Sequence, residues 1–310
     1  MCGIAGYLDK RTPNAPLGQT MLVMLNSLGQ RGPDSAGMAL FGPANPFGEV
    51  CLIKLPERQD PDAAERRLTE RLQGLATVSE RRRIGDVVRL VVDRSAGVRD
   101  FCSAIERRDD GFEVLSLGRS IELSKQVGEP GNLDRTFDVS AFRGSHGIGH
   151  TRLSTESKVD LSHSQPFWAR GIPDLATVHN GHITNYDRLR RIYEQRGLRF
   201  FSENDSEVIA VYLADQLDKG LSLGDAVAQS LDDFDGSFSY LVATPSEFGY
   251  ARDPFALKPM IIVETPDYVA VANEEIAIRS ALGPAGVARE PSGHVYRLWK
   301  VGSEVADAAA

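Results

Sequence analysis

A chain of 310 residues, 42% hydrophobic and 25% charged, carries enough material to bury a sizeable core as one large domain or two smaller ones. Its formal charge of −8 argues against sequence-independent binding to nucleic acid, which needs a basic footprint. No apolar run approaches the ~20 residues of a membrane span, and no basic region followed by an apolar core marks a signal peptide. The cysteines, Cys2, Cys51 and Cys102, are odd in number, widely spaced and without a Cys-x-x-Cys pair. That disfavours a disulfide framework or a zinc site and makes a reducing cytoplasm the expected compartment.

In chain order, Gly3 to Asp9 reads as a short strand. Leu17 to Leu28 has apolar residues at helical spacing, with Gly29 as a stop. A dense turn follows over Gln30 to Gly37, and Met38 to Phe41 and Glu49 to Leu55 look like paired strands. From Pro56 to Phe142 the character changes. Asp60 to Arg83 reads as a charged surface helix, Val87 to Val92 as a strand, Gly97 to Arg107 as a helix and Phe112 to Leu117 as a strand, which suggests an α/β insertion with a solvated face. Ser145 to Arg152 and Asp174 to Val178 read as buried strands. Helices are expected over Asn185 to Gln195 with Asn185 as N-cap, over Ser206 to Leu217, and from Ser222 with Asp225 completing a capping box. Strands over Phe238 to Ala243, Met260 to Val263, Val269 to Ala272 and Val295 to Trp299, with a short helix over Glu274 to Ala281, complete the body. Residues 1–303 are expected to form one domain containing the 56–142 insertion, and Glu304 to Ala310 a frayed tail. Strands at both ends with helices between favour α+β layers over a doubly wound sheet.

Chemistry gathers at the N-terminus and in four short stretches. Loss of Met1 would leave Cys2 with both a thiol and a free α-amine. Thiols titrate near about 8.5 and α-amines near about 7.7–8.0, so one residue can hold a nucleophile and its own base. The stretches are Gln30 to Gly37, His150-Thr151-Arg152-Leu153-Ser154-Thr155, His179-Asn180-Gly181-His182-Ile183-Thr184-Asn185 and Glu203-Asn204-Asp205-Ser206-Glu207. Each has a structural reading: a turn salt bridge between Arg31 and Asp34, a strand-end ion pair at Arg152, a tight turn at Asn180-Gly181, a helix cap at Asp205. His146 and His150 have the spacing of a helical metal pair, but Gly147 and Gly149 oppose a helix, and no metal is expected. Together the stretches suit one task. Attack on an amide carbonyl needs donors where negative charge develops, which the Asn180 side chain and the Gly181 N–H can supply. Arg152 can hold an α-carboxylate bidentately, and Asp205 can pair with an α-ammonium.

The motifs Met1-Cys2-Gly3-Ile4-Ala5-Gly6, Arg31-Gly32-Pro33-Asp34-Ser35-Ala36-Gly37, His150-Thr151-Arg152, His179-Asn180-Gly181 and Asn204-Asp205-Ser206-Glu207 resemble, in order, those of class II glutamine amidotransferases, members of the N-terminal nucleophile hydrolases. The resemblance implies an α+β fold, a four-layer αββα sandwich, with L-glutamine as substrate. It also implies Cys2 as nucleophile and Asn180 and Gly181 as oxyanion hole. Arg152, Asp205, Thr155 and His179 fall with the substrate, and Arg31 shapes the loop. Leu153 departs from the aromatic that several branches carry after the arginine. Ser164-Gln165-Pro166-Phe167 is similar to the glutamate synthase branch, and no second catalytic half follows the matching motifs. That implies a glutaminase subunit of a multi-subunit glutamate synthase-like complex, with N-methylglutamate synthase as the specific expectation. This chain would hold no cofactor, and flavin and iron–sulfur centres would sit in partner subunits that receive the ammonia. A stand-alone γ-glutamyl amidase and a non-catalytic glutamine-sensing subunit are the alternatives. The mature chain should lack Met1, and intact mass of the purified protein checks this directly.

Overall fold

The computed structural model describes residues 2–57, 59–107, 110–154 and 158–302. Its strands in chain order begin with β1 (Gly3–Asp9), β2 (Ser35–Phe41), β3 (Glu49–Lys54), β4 (Ala76–Ile84), β5 (Val87–Arg94), β6 (Glu113–Gly118), β7 (Ile121–Val127) and β8 (His146–Arg152). They continue with β9 (Phe167–Trp168), β10 (Ala176–Ile183), β11 (Gly236–Thr244), β12 (Glu247–Arg252), β13 (Ile261–Glu264), β14 (Tyr268–Ala272), β15 (Ala288–Arg289) and β16 (Val295–Lys300). The helices are α1 (Leu17–Ser27), α2 (Pro61–Leu72), α3 (Val98–Ile105), α4 (Gly131–Phe137), α5 (Tyr186–Gln195), α6 (Ser206–Asp218), α7 (Leu223–Asp233) and α8 (Glu275–Leu282).

Among the described residues, three sheets form. One has seven strands in the order β15-β13-β14-β1-β8-β2-β7, the second five in the order β16-β12-β11-β10-β9, and the third four in the order β4-β5-β3-β6. Period-two alternation assigns the faces. Ile4 and Leu8 of β1 meet Val178, Leu241 and Phe248 between the two larger sheets, whereas Ala5 and Tyr7 face α1 and α8. On the other side Phe238, Tyr240 and Val242 of β11 pack under α6 and α7. The layers are therefore helix, sheet, sheet, helix. Space between the sheets is tight at the middle of β1, where a Cβ on Gly6 would stand 2.7 Å from Phe248. The αββα sandwich expected from the resemblance is the fold.

Several expected elements change. β2 and β3 are not partners: β2 pairs with β7 and β8, and β3 with β5 and β6 of the small sheet. The charged 60–83 segment is a helix only to Leu72, capped by Asp60, and then becomes β4, an edge strand whose Arg81 and Arg83 pair with Glu65 and Asp62 of α2. Asn185 stands at the N-cap position of α5 as expected, but its side chain makes no capping bond; its amide accepts from Asp235 N–H and donates to the Asp233 carbonyl, closing the loop after α7. Ser222 does cap α7, accepting from Asp225 N–H at 3.1 Å. The four-strand sheet draws on residues 49–118, while β7 belongs to the seven-strand sheet, a different division from the expected 56–142 insertion. Met1 and the expected tail 304–310 lie outside the described residues. No helix among the described residues is long and apolar enough to cross a membrane.

One side chain, Asn273, fixes the region where β1 begins. Past the Ala5–Ala272 rung, Asn273 continues the pairing: its N–H donates to the Ile4 carbonyl at 3.2 Å and its Oδ1 accepts the Ile4 N–H at 2.6 Å. Its Nδ2 also donates to the Pro259 carbonyl at 2.6 Å. Arg252 lies fully buried and gathers the carbonyls of Ala256, Lys258 and Pro291 with the Glu290 carboxylate. Truncating it strands buried acceptors, so Arg252→Ala should cost about 3 kcal/mol of unfolding free energy, measurable by chemical denaturation.

Candidate active site

Strand pairing brings the first two groups together. Gly3 of β1 lies opposite Thr151 of β8, so Cys2 and Arg152 emerge side by side at one end of the seven-strand sheet. The Cys2 carbonyl accepts from Arg31 Nε at 3.1 Å and from Asn180 Nδ2 at 3.2 Å. Arg31 is itself held by Glu274. The Cys2 backbone is thus pinned from both sheets, while its Sγ lies 3.8 Å from the Leu153 carbonyl and faces a cleft of about 430 Å³. Arg152, Gly181, Glu203 and Asp205 line the same cleft.

The turn over 31–37 does not contain the expected Arg31–Asp34 salt bridge. Asp34 Oδ2 accepts the Ser154 N–H at 2.7 Å, and Asp34 N–H donates to the Arg152 carbonyl at 3.0 Å, which fixes the chain leaving β8. The Arg152 guanidinium donates to the Lys158 carbonyl at 2.7 Å and to Ser154 Oγ at 3.3 Å. Burial lowers its pKa, and a guanidinium stripped of water favours an anionic guest.

Asn180 and Gly181 are not a turn but run inside β10, paired with Ser239 and Phe238. Gly181 has φ +151, and a Cβ there would stand 2.3 Å from the Ser237 carbonyl oxygen. Asp205 precedes α6 without capping it. Its Oδ2 accepts the Ile183 N–H at 2.8 Å, which ties the start of α6 to the end of β10. His182 Nδ1 approaches the same oxygen at 3.6 Å. His179 is buried, with Nδ1 2.8 Å from Ser206 Oγ, and burial lowers its pKa. It lines the cleft and supports the wall carrying Asp205 through Ser206. Thr155 lies outside the described residues.

Some contributors carry weak sequence signals. Gln165 Oε1 accepts the His179 N–H at 2.6 Å, and its Nε2 donates to the His179 carbonyl and to Ser206 Oγ at 3.1 and 3.0 Å. Its place in the Ser164-Gln165-Pro166-Phe167 stretch was the available clue. Asn273 carries no sequence signal and Glu274 reads only as a helix start, because their partners are 269 and 243 residues away. His146 and His150 are buried neutral imidazoles, held down to about 4 and about 3 by burial. Among the described residues, no group of ligating side chains is arranged to hold a metal ion.

A model of the glutamine amidotransferase domain family matches residues 150–280. The chain is 35% identical over 308 residues to a Methanothermobacter thermautotrophicus protein named "Putative glutamine amidotransferase", covering 97% of this chain and all of that one. It is 40% identical over 281 residues to the glutamine amidotransferase-like protein GlxB of Rhizobium meliloti, covering 90% of this chain and 91% of that one. Among solved structures, the glutamine phosphoribosylpyrophosphate amidotransferase of B. subtilis superposes with a TM-score of 0.62 at 20% identity, over 96% of this chain and 49% of that one. That likeness is one of fold.

Gly181→Ala combines a side chain at positive φ with overlap against the Ser237 carbonyl. It should lower unfolding free energy by about 1–3 kcal/mol and displace the β10–β11 pairing, readable by thermal melting and amide exchange at Phe238.

Proposed function

The chain belongs to the glutamine amidotransferase family, and from that premise we propose that it releases ammonia from glutamine through a thioester on Cys2. One observation carries the reading: Cys2, Arg152 and Asp205, from three separate elements, line one cleft, and Asn180 from a fourth bonds the Cys2 carbonyl, so that the Cys2 backbone is held from both sheets. Their chemistries are complementary to a zwitterionic amino acid with a side-chain amide. Arg152 holds the α-carboxylate and Asp205 the α-ammonium. The γ-amide then lies toward Cys2.

Once Met1 is removed, the Cys2 α-amine accepts the thiol proton, and the thiolate adds to the γ-carbonyl carbon. Negative charge gathers on the carbonyl oxygen. Asn180 Nδ2, which already stands within hydrogen-bond distance of the Cys2 carbonyl, and the Gly181 N–H are the donors that receive it. Collapse breaks the C–N bond as the amine returns its proton to the leaving nitrogen, giving ammonia and a γ-glutamyl thioester. Water then adds to the thioester, the same amine taking its proton, and glutamate leaves with the thiol restored. Arg31 shapes this site by fixing the Cys2 carbonyl rather than by touching the substrate.

Ammonia becomes useful only where an acceptor awaits it, so the reading includes a partner. The Ser164-Gln165-Pro166-Phe167 stretch supports the glutamate synthase-like branch, with N-methylglutamate synthase as the specific assignment and redox cofactors on other chains. The cofactor-free role of this chain and its cytoplasmic setting follow from the same reading.

Cys2→Ala should abolish glutamine hydrolysis while leaving the melting curve unchanged, and Asn180→Ala should lower kcat by about 10²–10³. Ammonia release by the purified chain checks both. Residual turnover by Cys2→Ala would remove the nucleophile assignment. Turnover should also rise when the chains that co-purify from the native source are restored; full activity in the isolated chain would favour a stand-alone γ-glutamyl amidase.

A further inference from the structure

The two charged walls of the cleft stand on different segments, and one side chain joins those segments. The Lys158 carbonyl meets the Arg152 guanidinium at 2.7 Å. Asp160 follows, and its Oδ1 accepts both the backbone N–H of His163 at 2.9 Å and His163 Nδ1 at 2.7 Å. On the far edge of the ring, His163 Nε2 lies 3.2 Å from Glu203 Oε2. The His163 carbonyl accepts from Asn204 Nδ2 at 3.2 Å, and Asn204 Oδ1 accepts the Ser206 N–H at 3.1 Å. The His163 side chain is only 7% exposed, whereas Glu203 reaches the cleft mouth. This imidazole spans the gap between the Arg152 side and the Asp205 side.

We propose, resting on the glutamine reading above, that His163 in its imidazolium form is a positioning residue that sets the spacing of Arg152 and Asp205, so that glutamine binds tightly only while both ring nitrogens donate. A neutral imidazole has a single N–H. Nδ1 keeps it, because that bond is the shorter and shares its acceptor with the backbone N–H. Nε2 then turns a lone pair toward the Glu203 carboxylate, and attraction becomes repulsion. The Glu203 end of the 203–205 segment loses this hold and shifts, while the Asp160 contact and the Asn204 bond to the His163 carbonyl remain.

The charged groups facing the ring are Asp160, Glu203 and Arg152. The Asp160 hydrogen bond raises the His163 pKa, burial opposes it, Glu203 adds to the rise and Arg152 opposes it. Burial pushes the Asp160 carboxyl up, but the His163 hydrogen bonds outweigh it and hold that carboxyl well below the usual range. A raised folded-state pKa means that the clasp is complete below the ordinary histidine value of ~6.5 and is lost as pH climbs through the raised value. His182, exposed and 3.6 Å from Asp205, faces the Asp205 carboxylate from β10.

The test is titration calorimetry of L-glutamine into the full-length Cys2→Ala protein, which binds without turnover, from about pH 5.5 to 8.5. The expected Kd rises about tenfold across that range in this parent and stays at the high value throughout in Cys2→Ala with His163→Asn. Glu203→Gln, an exposed change that spares the fold, should flatten the profile in the same way. By linkage, glutamine should also raise the His163 ring pKa in the parent, a readout by NMR that needs no substitution at 163. Parallel profiles in parent and variants, or a ring pKa that glutamine leaves unmoved, would overturn the positioning role. Absence of glutamine binding at every pH, in parent and variants alike, would instead overturn the glutamine reading.

Discussion

The carbonyl oxygen of Cys2 accepts two hydrogen bonds, from Arg31 Nε and from Asn180 Nδ2, and the geometry of the cleft depends on that oxygen. A residue at the very start of a strand ordinarily frays, since half of its backbone groups have no ladder partner. Here each support comes from a different layer. Arg31 stands on the turn before β2 and is braced by Glu274 at the start of α8, and Asn180 reaches over from the opposite sheet. Asn273 continues the ladder to Ile4 from beside Glu274. A thiol on so fixed a backbone has one soft degree of freedom left, its own χ1. That is the preorganisation that proximity catalysis demands, in which a misplacement of about 1 Å costs about 10²-fold.

The same logic extends outward from the cleft. Gln165 grips both backbone groups of His179 and the hydroxyl of Ser206, so β10 and α6 move as one body. The adjoining Glu207 carboxylate accepts from the N–H groups of Phe201 and Ser202 and from the Ser202 hydroxyl, closing the loop that delivers Asp205. Behind this loop lies the seam with the four-strand sheet. There Ser162 joins Lys54 to Glu113, and Arg170 pairs with Glu106 and Glu113. Buried ion pairs contribute little net stability, but they penalise misalignment heavily because a displaced charge is left without a partner. The small sheet is therefore registered against the segments at 162–170 and 201–207 that build one wall of the cleft.

Much of this was legible in the sequence where local chemistry and long-range structure agree. α1, α6 and the strands β1, β2, β8, β10, β11, β13, β14 and β16 of the two large sheets follow from periodicity, and the motifs contain Cys2, Arg152, Gly181 and Asp205, which meet at the cleft. Failures occur where a partner far along the chain decides. Asn180-Gly181 carries a strong turn signature, yet pairing with β11 on one side and β9 at its root holds the segment extended. The run from Ser79 to Arg83 is rich in helix formers, yet its backbone is claimed by β5, and its charges keep an exposed edge strand from recruiting other chains. β12 was missed because Gly249 breaks its pattern. That glycine is where the backbone of β16 approaches closely, with Arg297 O 2.3 Å from a Cβ placed there. The supporting residues Glu274, Asn273 and His163 act on partners that no local spacing can name.

In the proposed reaction Cys2, freed of Met1, forms a covalent bond to the γ-carbonyl carbon of glutamine. Acid quenching during turnover, followed by peptide mass mapping, measures this directly. The expected result is a γ-glutamyl adduct on an N-terminal peptide that begins at Cys2, with none on Cys51 or Cys102. An adduct on another residue, or sustained glutamine hydrolysis by protein that retains Met1, would contradict it.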